Sequence, residues 1–259
     1  MLNRYLSKLA APLGALVVSA GATVSLAEGF DADTEAKLRE AMNAPSRPAA
    51  DKARDRNRKP IKTLEFFGFG DDMTVLELVP GGGWYTRLLM PTLADEGKLY
   101  LSIGTRGVPA LADLPGYDEA EVLDVAGFGE RQPNGRFDVE PFSLGIDDVD
   151  LALTFRNMHN FSASGRANIN EAVFEALKPG GHYGVVDHSR RHMAPDGPEM
   201  GRRMDPVQVI KEVEAAGFEF VDYSDLHYRP DDELRYEVGR ATVTGNTDRF
   251  TLLFRKPDR

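Results

Sequence analysis

From Met73 onward, short apolar runs and amphipathic segments take turns along the chain, and this rhythm restricts the fold more than any other feature. The runs are Thr74–Val79, Lys98–Ile103, Glu121–Val125, Asp150–Phe155, His182–Asp187, Phe218–Ser224 and Arg249–Arg255. They are short and bounded by glycine, proline or charge, as strands are. Parallel strands need long crossovers, which helices supply, so the alternation predicts a mainly parallel sheet covered on both faces. Before the fifth run, Ile169, Ala172, Val173, Ala176 and Leu177 recur at helical spacing, and Pro179-Gly180-Gly181 is expected to stop that helix. Before the sixth, Asp205 is a cap, Pro206 takes the first helical position, Gln208 completes a capping-box spacing and Gly217 supplies the left-handed stop. Residues 225–248 show no helical pattern. The last two runs are therefore expected as an antiparallel pair at one edge of a seven-stranded α/β sheet.

Two segments precede this alternation. Arg4 and Lys8 form a basic head, no acidic residue occurs before Glu28, and an apolar stretch from Leu9 to Leu26 closes on Ser25-Leu26-Ala27. That is the pattern of a secretory signal peptide over residues 1–27. It predicts a periplasmic or secreted protein with no membrane attachment after cleavage. The rival reading, an uncleaved anchor, is weakened by the glycines, serines and threonine in the run. Residues 28–72 are expected to be helical: Asp31–Met42 with Asp33 as a cap, then Pro48–Phe67 divided or kinked at Pro60. The charges Asp51, Lys52, Arg54, Asp55, Arg56, Arg58 and Lys59 read mostly as a solvated face. Arg54, Asp55, Arg56 and Lys59 are also placed to fold over a crevice as a lid, the first residues to test should the substrate be anionic. Residues 73–259 then form the main domain.

Charge narrows the partners. The formal net charge of −10 becomes −12 once Arg4 and Lys8 are removed. So acidic a chain suits neither nucleic acid nor an anionic membrane surface. With no cysteine, disulfides and thiolate metal sites are excluded.

The first strand runs into VLELVPGGGWYTRLL, residues Val75 to Leu89. Three consecutive glycines between a strand and a helix exceed what a turn needs. They let backbone N–H groups approach a ligand at the carboxyl end of the sheet. Gly81, Gly83 and Thr86 occupy the places of the dinucleotide pattern G-x-G-x-x-G/A, and the third fails. No Gly-Lys-Ser/Thr follows, so the loop is not a P-loop either. A ligand without phosphates suits this loop better, and a nicotinamide oxidoreductase is disfavoured.

Glu77-Leu78-Val79-Pro80-Gly81-Gly82-Gly83 resembles the acidic-x-Gly-x-Gly-x-Gly motif of class I S-adenosylmethionine-dependent methyltransferases. The likeness extends to Leu177–Gly181 (LKPGG) and to the closing strand Arg249–Lys256. More narrowly, Leu76–Thr86, Leu153–Asn160 (LTFRNMHN), Gly184–His188 (GVVDH) and Thr247–Pro257 (TDRFTLLFRKP) resemble blocks in a group of predicted methyltransferases that carry signal peptides. The resemblance implies a Rossmann-like, doubly wound fold, S-adenosyl-L-methionine as cofactor and a small-molecule methyl acceptor. It implies that Glu77 lies near the methionine amino group, with Val79, Pro80, Gly81, Gly82 and Gly83 along the cofactor's path. Two departures stand out. Val79 replaces the first glycine, so the turn there cannot rely on glycine's freedom. The end of strand two, Leu101-Ser102-Ile103-Gly104-Thr105, lacks the acid the family offers to the ribose, leaving Ser102 or Thr105 as weaker hydrogen-bonding substitutes.

Methyl transfer is mainly a matter of alignment, and a base is required only when the acceptor must lose a proton. Phe155-Arg156-Asn157-Met158-His159-Asn160 follows strand four, where this fold presents substrate. Asn157 and His159 are the leading catalytic candidates, joined by Asp187 and His188 at the end of strand five. His182 opens strand five and faces the wrong end. Trp84, Tyr85, Arg56 and Arg156 are candidate substrate contacts, with helix-to-sheet packing the competing role for the two aromatics. No metal is expected, because His188 and His192 are four apart in a loop rather than on one helical face. A non-catalytic binding module that keeps the fold remains the alternative. The missing strand-two acid favours it, and the polar rim around Asn157, His159 and Asp187 opposes it.

Overall fold

The computed structural model describes residues 30–258, apart from 126. The expected signal peptide, residues 1–27, lies outside the described residues. Seven strands form one sheet: β1 (Thr74–Leu78), β2 (Lys98–Ser102), β3 (Glu121–Leu123), β4 (Val149–Phe155), β5 (Leu177–His188), β6 (Glu219–Ser224) and β7 (Arg249–Arg255). Their order is β3-β2-β1-β4-β5-β7-β6. The first five are parallel, and β7 runs antiparallel to both β5 and β6. The antiparallel strand is thus present, but it is inserted beside β5, and β6 takes the edge.

Seven α-helices accompany the sheet among the described residues: α1 (Ala32–Asn43), α2 (Ala49–Lys52), α3 (Asp55–Arg58), α4 (Pro60–Phe66), α5 (Thr86–Leu93), α6 (Ala163–Ala176) and α7 (Pro206–Ala215). Both faces of the sheet are covered because the central strands carry apolar residues in both directions. Leu76, Leu78, Ala152, Val185, Leu252 and Phe254 join the core under α6 and α7. Val75, Leu99, Leu101, Leu151, Leu153 and Phe155 join the opposite core with residues of α1, α4 and α5. Glu77, two residues from Val75, belongs to the second face by strand parity, and its carboxylate is buried there.

Several local expectations change. Asp31, not Asp33, caps α1, its carboxylate accepting from the Thr34 N–H. The segment from Pro48 divides into three short helices. Lys59 turns left-handed (φ 43°) and Pro60 opens α4 at its first position, where a missing N–H costs nothing. Helix α6 ends at Ala176 without help from Pro179-Gly180-Gly181, because Leu177 is already extended and pairs with Val149 as the start of β5. Asp205 caps α7 by accepting from Val207 N–H, but Gln208 does not close a capping box, since its amide bonds Glu212 and Arg190. Gly217 has the expected positive φ, 106°.

Strand order reverses direction at β1, with β2 on one side and β4 on the other. The crevice beyond the carboxyl ends of β1 and β4 is therefore the topological switch point of the sheet, where ligands of open α/β folds bind.

Candidate functional site

A crevice of about 250 Å³ opens at that switch point, lined by Glu77, Val79, Pro80, Gly81, Gly82, Trp84, Tyr85, Phe155, Arg156 and Asn157 from the sheet's rim. Asp51, Arg54 and Arg58 close it from the N-terminal helices. Nine of the residues singled out in the sequence thus share one wall, although eighty positions separate its ends.

Glu77 sits at the floor. It is 3% exposed, and its Oε2 accepts a 2.6 Å hydrogen bond from the Thr86 hydroxyl at the start of α5. Burial pushes its carboxyl up to about 7, against smaller opposing contributions from Thr86 and Arg58. No cation lies within ion-pairing distance among the described residues, so this carboxyl is held half-charged near neutrality.

Above it the backbone turns sharply. Val79 adopts φ 54° despite its branched side chain, a turn made without glycine's freedom. Such a residue is strained by about 1–3 kcal/mol. Two bonds hold it: its N–H donates to Ser102 O at 2.8 Å, and its carbonyl accepts from Asn157 Nδ2 at 3.2 Å. Gly81 follows at φ 58°, and a Cβ there would meet nothing nearer than 3.9 Å; Gly82 has open space around it. Gly83 is different, since its Cβ would lie 2.7 Å from Leu111 Cδ1. Gly81 and Gly82 bare backbone to the crevice, and Gly83 is a packing position away from it.

The aromatics after the glycines work as packing and as anchors. Tyr85 stacks on Phe155 at 3.5 Å between ring centroids, and its hydroxyl donates to Arg58 O at 3.4 Å. Trp84 Nε1 donates to Asp51 O, and the Arg58 guanidinium lies 4.2 Å over its ring. The Arg58 carbonyl also accepts from Thr63 Oγ1 and His227 Nε2, both at 3.0 Å.

Asn157 is committed to its loop: Nδ2 bonds Val79 O and Phe155 O, while Oδ1 accepts from Asn160 Nδ2. His159 and Asp187 meet as a dyad next to this rim. Asp187 is fully buried; Oδ1 lies 2.7 Å from His159 Nδ1, Oδ2 accepts from His159 N–H, and His188 N–H donates to Oδ1. With Nδ1 carrying the proton toward Asp187, Nε2 of His159 is the free acceptor. His188 is a separate group. Its Nδ1 bonds Thr247 Oγ1, and burial, then Arg249, holds it well below the usual histidine range. Neither His159 nor His188 lines the crevice itself, although their rings stand 5.9 Å apart beside Arg156's loop. His192 pairs with the α7 cap Asp205, and the described residues contain no group of three metal-ligating side chains.

Other expected residues stand elsewhere. Ser102 is fully buried with its hydroxyl on Leu123 O, so it does not reach the crevice. Arg56 is exposed and lines a shallow cavity with Asn57 and residues 244–246. Asp55 is locked to Arg47 by two bonds of 2.6 and 2.7 Å. Three residues went unnoticed as site candidates. Arg58 shares a helix face with Arg54, four residues earlier, which its spacing signalled. Arg249 opens β7 opposite His188. Asp124, just past β3, lines a second cavity of about 680 Å³ with Gly104, Thr105, Arg106, Gly127, Phe128 and Phe137. A Cβ at Gly104 would lie 3.2 Å from Val79 Cγ1, so this cavity adjoins the first.

No protein-family model matches the sequence, and no curated protein does. Solved structures share its fold. A SAM-dependent methyltransferase from Aquifex aeolicus superposes with TM-score 0.53 at 19% identity, covering 87% of this chain and 98% of that one. Human N-acetylserotonin methyltransferase in complex with SAM gives 0.51 at 13% identity, covering 86% of this chain and 56% of that one. The [4+2]-cyclase SpnF gives 0.53 at 17% identity, covering 87% and 94%. At such identities the likeness shows the fold, a seven-stranded Rossmann-like sheet of the kind class I methyltransferases use.

Proposed function

We propose that this chain is an S-adenosylmethionine-dependent methyltransferase acting on a small molecule, in the periplasm or outside the cell. One observation carries the reading: a buried, unpaired carboxyl at Glu77 faces a side-chain-free backbone at Gly81 and Gly82 across the switch-point crevice. A ligand with an ammonium group and a long, uncharged body satisfies both walls at once. Export rests on the sequence pattern of residues 1–27.

The residues present fit the cofactor. Glu77 holds its ammonium group, and Gly81 and Gly82 admit it against the backbone. The neighbouring cavity beyond β2 and β3 takes the adenosine, with Asp124 supplying the hydrogen-bond acceptor that the end of β2 lacks. When bound, S-adenosylmethionine supplies a methyl group on a positively charged sulfur, open to displacement by an acceptor lone pair. Asn157 fixes the Val79 turn and so aligns that reaction. His159, oriented by Asp187, takes the acceptor's proton on Nε2 where the acceptor has one to lose. Arg156 projects from the same loop toward the acceptor.

Calorimetric titration of the mature protein with S-adenosylmethionine and S-adenosylhomocysteine is the direct test, with one site expected for each. Gly81→Val should remain folded by circular dichroism and lose that site, because a branched side chain would fill the open space. Absence of binding to wild type overturns the proposal. Binding without transfer to any acceptor would leave a non-catalytic binder. Once an acceptor is known, His159→Ala should lower turnover by roughly 10²–10⁴-fold at little cost in cofactor affinity. A larger loss in Asn157→Ala would point to alignment rather than proton removal.

A further inference from the structure

The crevice holds more positive charge than its cofactor-facing wall requires. Arg54, Arg58 and Arg156 line it, and Arg249 stands just outside the lining, its Nη1 bonded at 3.2 Å to the carbonyl of Asn57, the residue before Arg58. Among the described residues, none of the four has a carboxylate within ion-pairing distance. Arg58 and Arg249 are 6% and 5% exposed, and the Nε of each is buried without a partner. Arg58 rests on Trp84, a contact that uses the face of the guanidinium and leaves its N–H edge free.

None of the described carboxylates nearby forms an ion pair with the cluster. Asp51 leans toward Arg87 on α5 at 3.7 Å, Glu77 accepts from Thr86, and Asp187 is taken by His159 and His188. The arginines consequently act on one another. Burial, then repulsion from Arg156, brings Arg58 down to about 9, and the same two causes bring Arg249 down to about 10. A cationic cluster in so acidic a protein is a local arrangement, not a product of overall charge. Buried charges of one sign destabilise a fold unless something of the opposite sign joins them.

We propose that this cluster binds an oxyanion group, phosphate or carboxylate, carried by the methyl acceptor. The planar, forked donors of arginine suit either group. The anion is a handle that does not react; it places the acceptor's nucleophile between the β4 loop and the glycine turn. This deepens the methyltransferase reading and rests on it.

The test uses the mature protein saturated with S-adenosylhomocysteine, titrated with pyrophosphate and separately with citrate. Saturable binding of either, at one site and with a raised melting temperature, is expected, and the stronger of the two identifies the head group. Sodium chloride at matched ionic strength should not reproduce the shift; if it does, screening alone is at work and the proposal falls. Arg156→Met and the exposed-rim variant Arg54→Ala should each weaken the anion at least tenfold while leaving S-adenosylhomocysteine affinity within about twofold. If they weaken S-adenosylhomocysteine as much as the anion, the arginines serve the cofactor's carboxylate and the proposal is overturned. Arg156→Met should also raise the melting temperature of the ligand-free protein, by on the order of 2–4 °C, since it removes repulsion. A lowered one would assign Arg156 to the scaffold and overturn the proposal. Failure of wild type to bind S-adenosylhomocysteine overturns the methyltransferase reading itself; normal binding of it with no anion binding overturns this inference alone.

Discussion

Two pairs of buried arginines in this molecule are treated differently. Under the α6–α7 layer, Arg166 is fully buried and forks onto Glu212 at 2.6 and 2.7 Å, with a third bond to Phe161 O. Arg203, equally buried, bonds Asp232, Ser189 O and Tyr236 O. At the crevice, Arg58 and Arg249 are nearly as enclosed and, among the described residues, pair with no carboxylate. Glu77 is their counterpart of opposite sign, a buried acid without a base. The first arrangement satisfies every charge from within the chain and so fixes loops to helices. The second leaves charges of both signs open to a ligand. Stability and binding have been assigned to different sets of charges.

The comparison can be broken by removing one member from each class. The largest effect belongs to the paired side. Arg203→Met leaves Asp232 buried without its cation, held only by the N–H groups of Leu234 and Asp248, and should cost about 3–5 kcal/mol, read from urea denaturation. A loss under 1 kcal/mol would mean that the pair holds nothing.

Glu77→Gln should do the opposite, and its effect should depend on pH. The folded-state value of about 7 lies above the ordinary 4.5, so the folded protein binds this proton more tightly than the unfolded chain does. Stability is therefore lost as pH rises from about 4.5 through 7. The variant, which cannot ionise, should be more stable than wild type at pH 8, by up to about 3 kcal/mol, with the difference vanishing near pH 4.5. It should also lose cofactor binding. For wild type, binding of an ammonium group at Glu77 should weaken below pH 7 and release a proton there, visible in titration heats measured in buffers of differing ionisation enthalpy. A pH-independent difference would show that Glu77 is not the titrating group.

The smallest effect sharpens the contrast. Arg202 forms a forked pair with Glu237 at 2.5 and 2.7 Å, but its side chain is half exposed. Arg202→Ala should change stability by less than about 1 kcal/mol, because solvent screens such pairs. A thermal melt indistinguishable from wild type is the expected outcome, and a loss as large as that of Arg203→Met would show that pairing rather than burial sets the scale.

The sheet was legible because its central strands are largely apolar on both faces, and runs such as Val75–Leu78 and Leu151–Phe155 announce themselves without neighbours. The crevice wall from Glu77 to Gly82 was legible as a contiguous motif. What escaped was assembly at a distance. Nothing local to Arg249 reveals that β7 inserts beside β5 and brings it toward Asn57, and nothing local to Ser102 reveals that its hydroxyl turns to Leu123. Val79 misled for a related reason: its own preference opposes φ 54°, and only Ser102 and Asn157, from two other segments, outweigh it. Charge misled at Arg58, where a helix taken as solvated lies against Trp84.

The three side chains gathered on the Arg58 carbonyl have a consequence for exchange. Thr63, Tyr85 and His227 come from α4, the start of α5 and the loop before β7, and all grip one backbone oxygen. The N-terminal cover is thereby riveted to the crevice it closes, with a further fastening from Trp84 to Asp51 O. Traffic has to pass at the exposed Arg54 edge, the one crevice-facing residue of that cover whose side chain is free in solvent. Entry and departure are then governed by the width of a fixed doorway and the charge posted beside it, so association should quicken at low salt for anions and stay indifferent to solvent viscosity beyond simple diffusion.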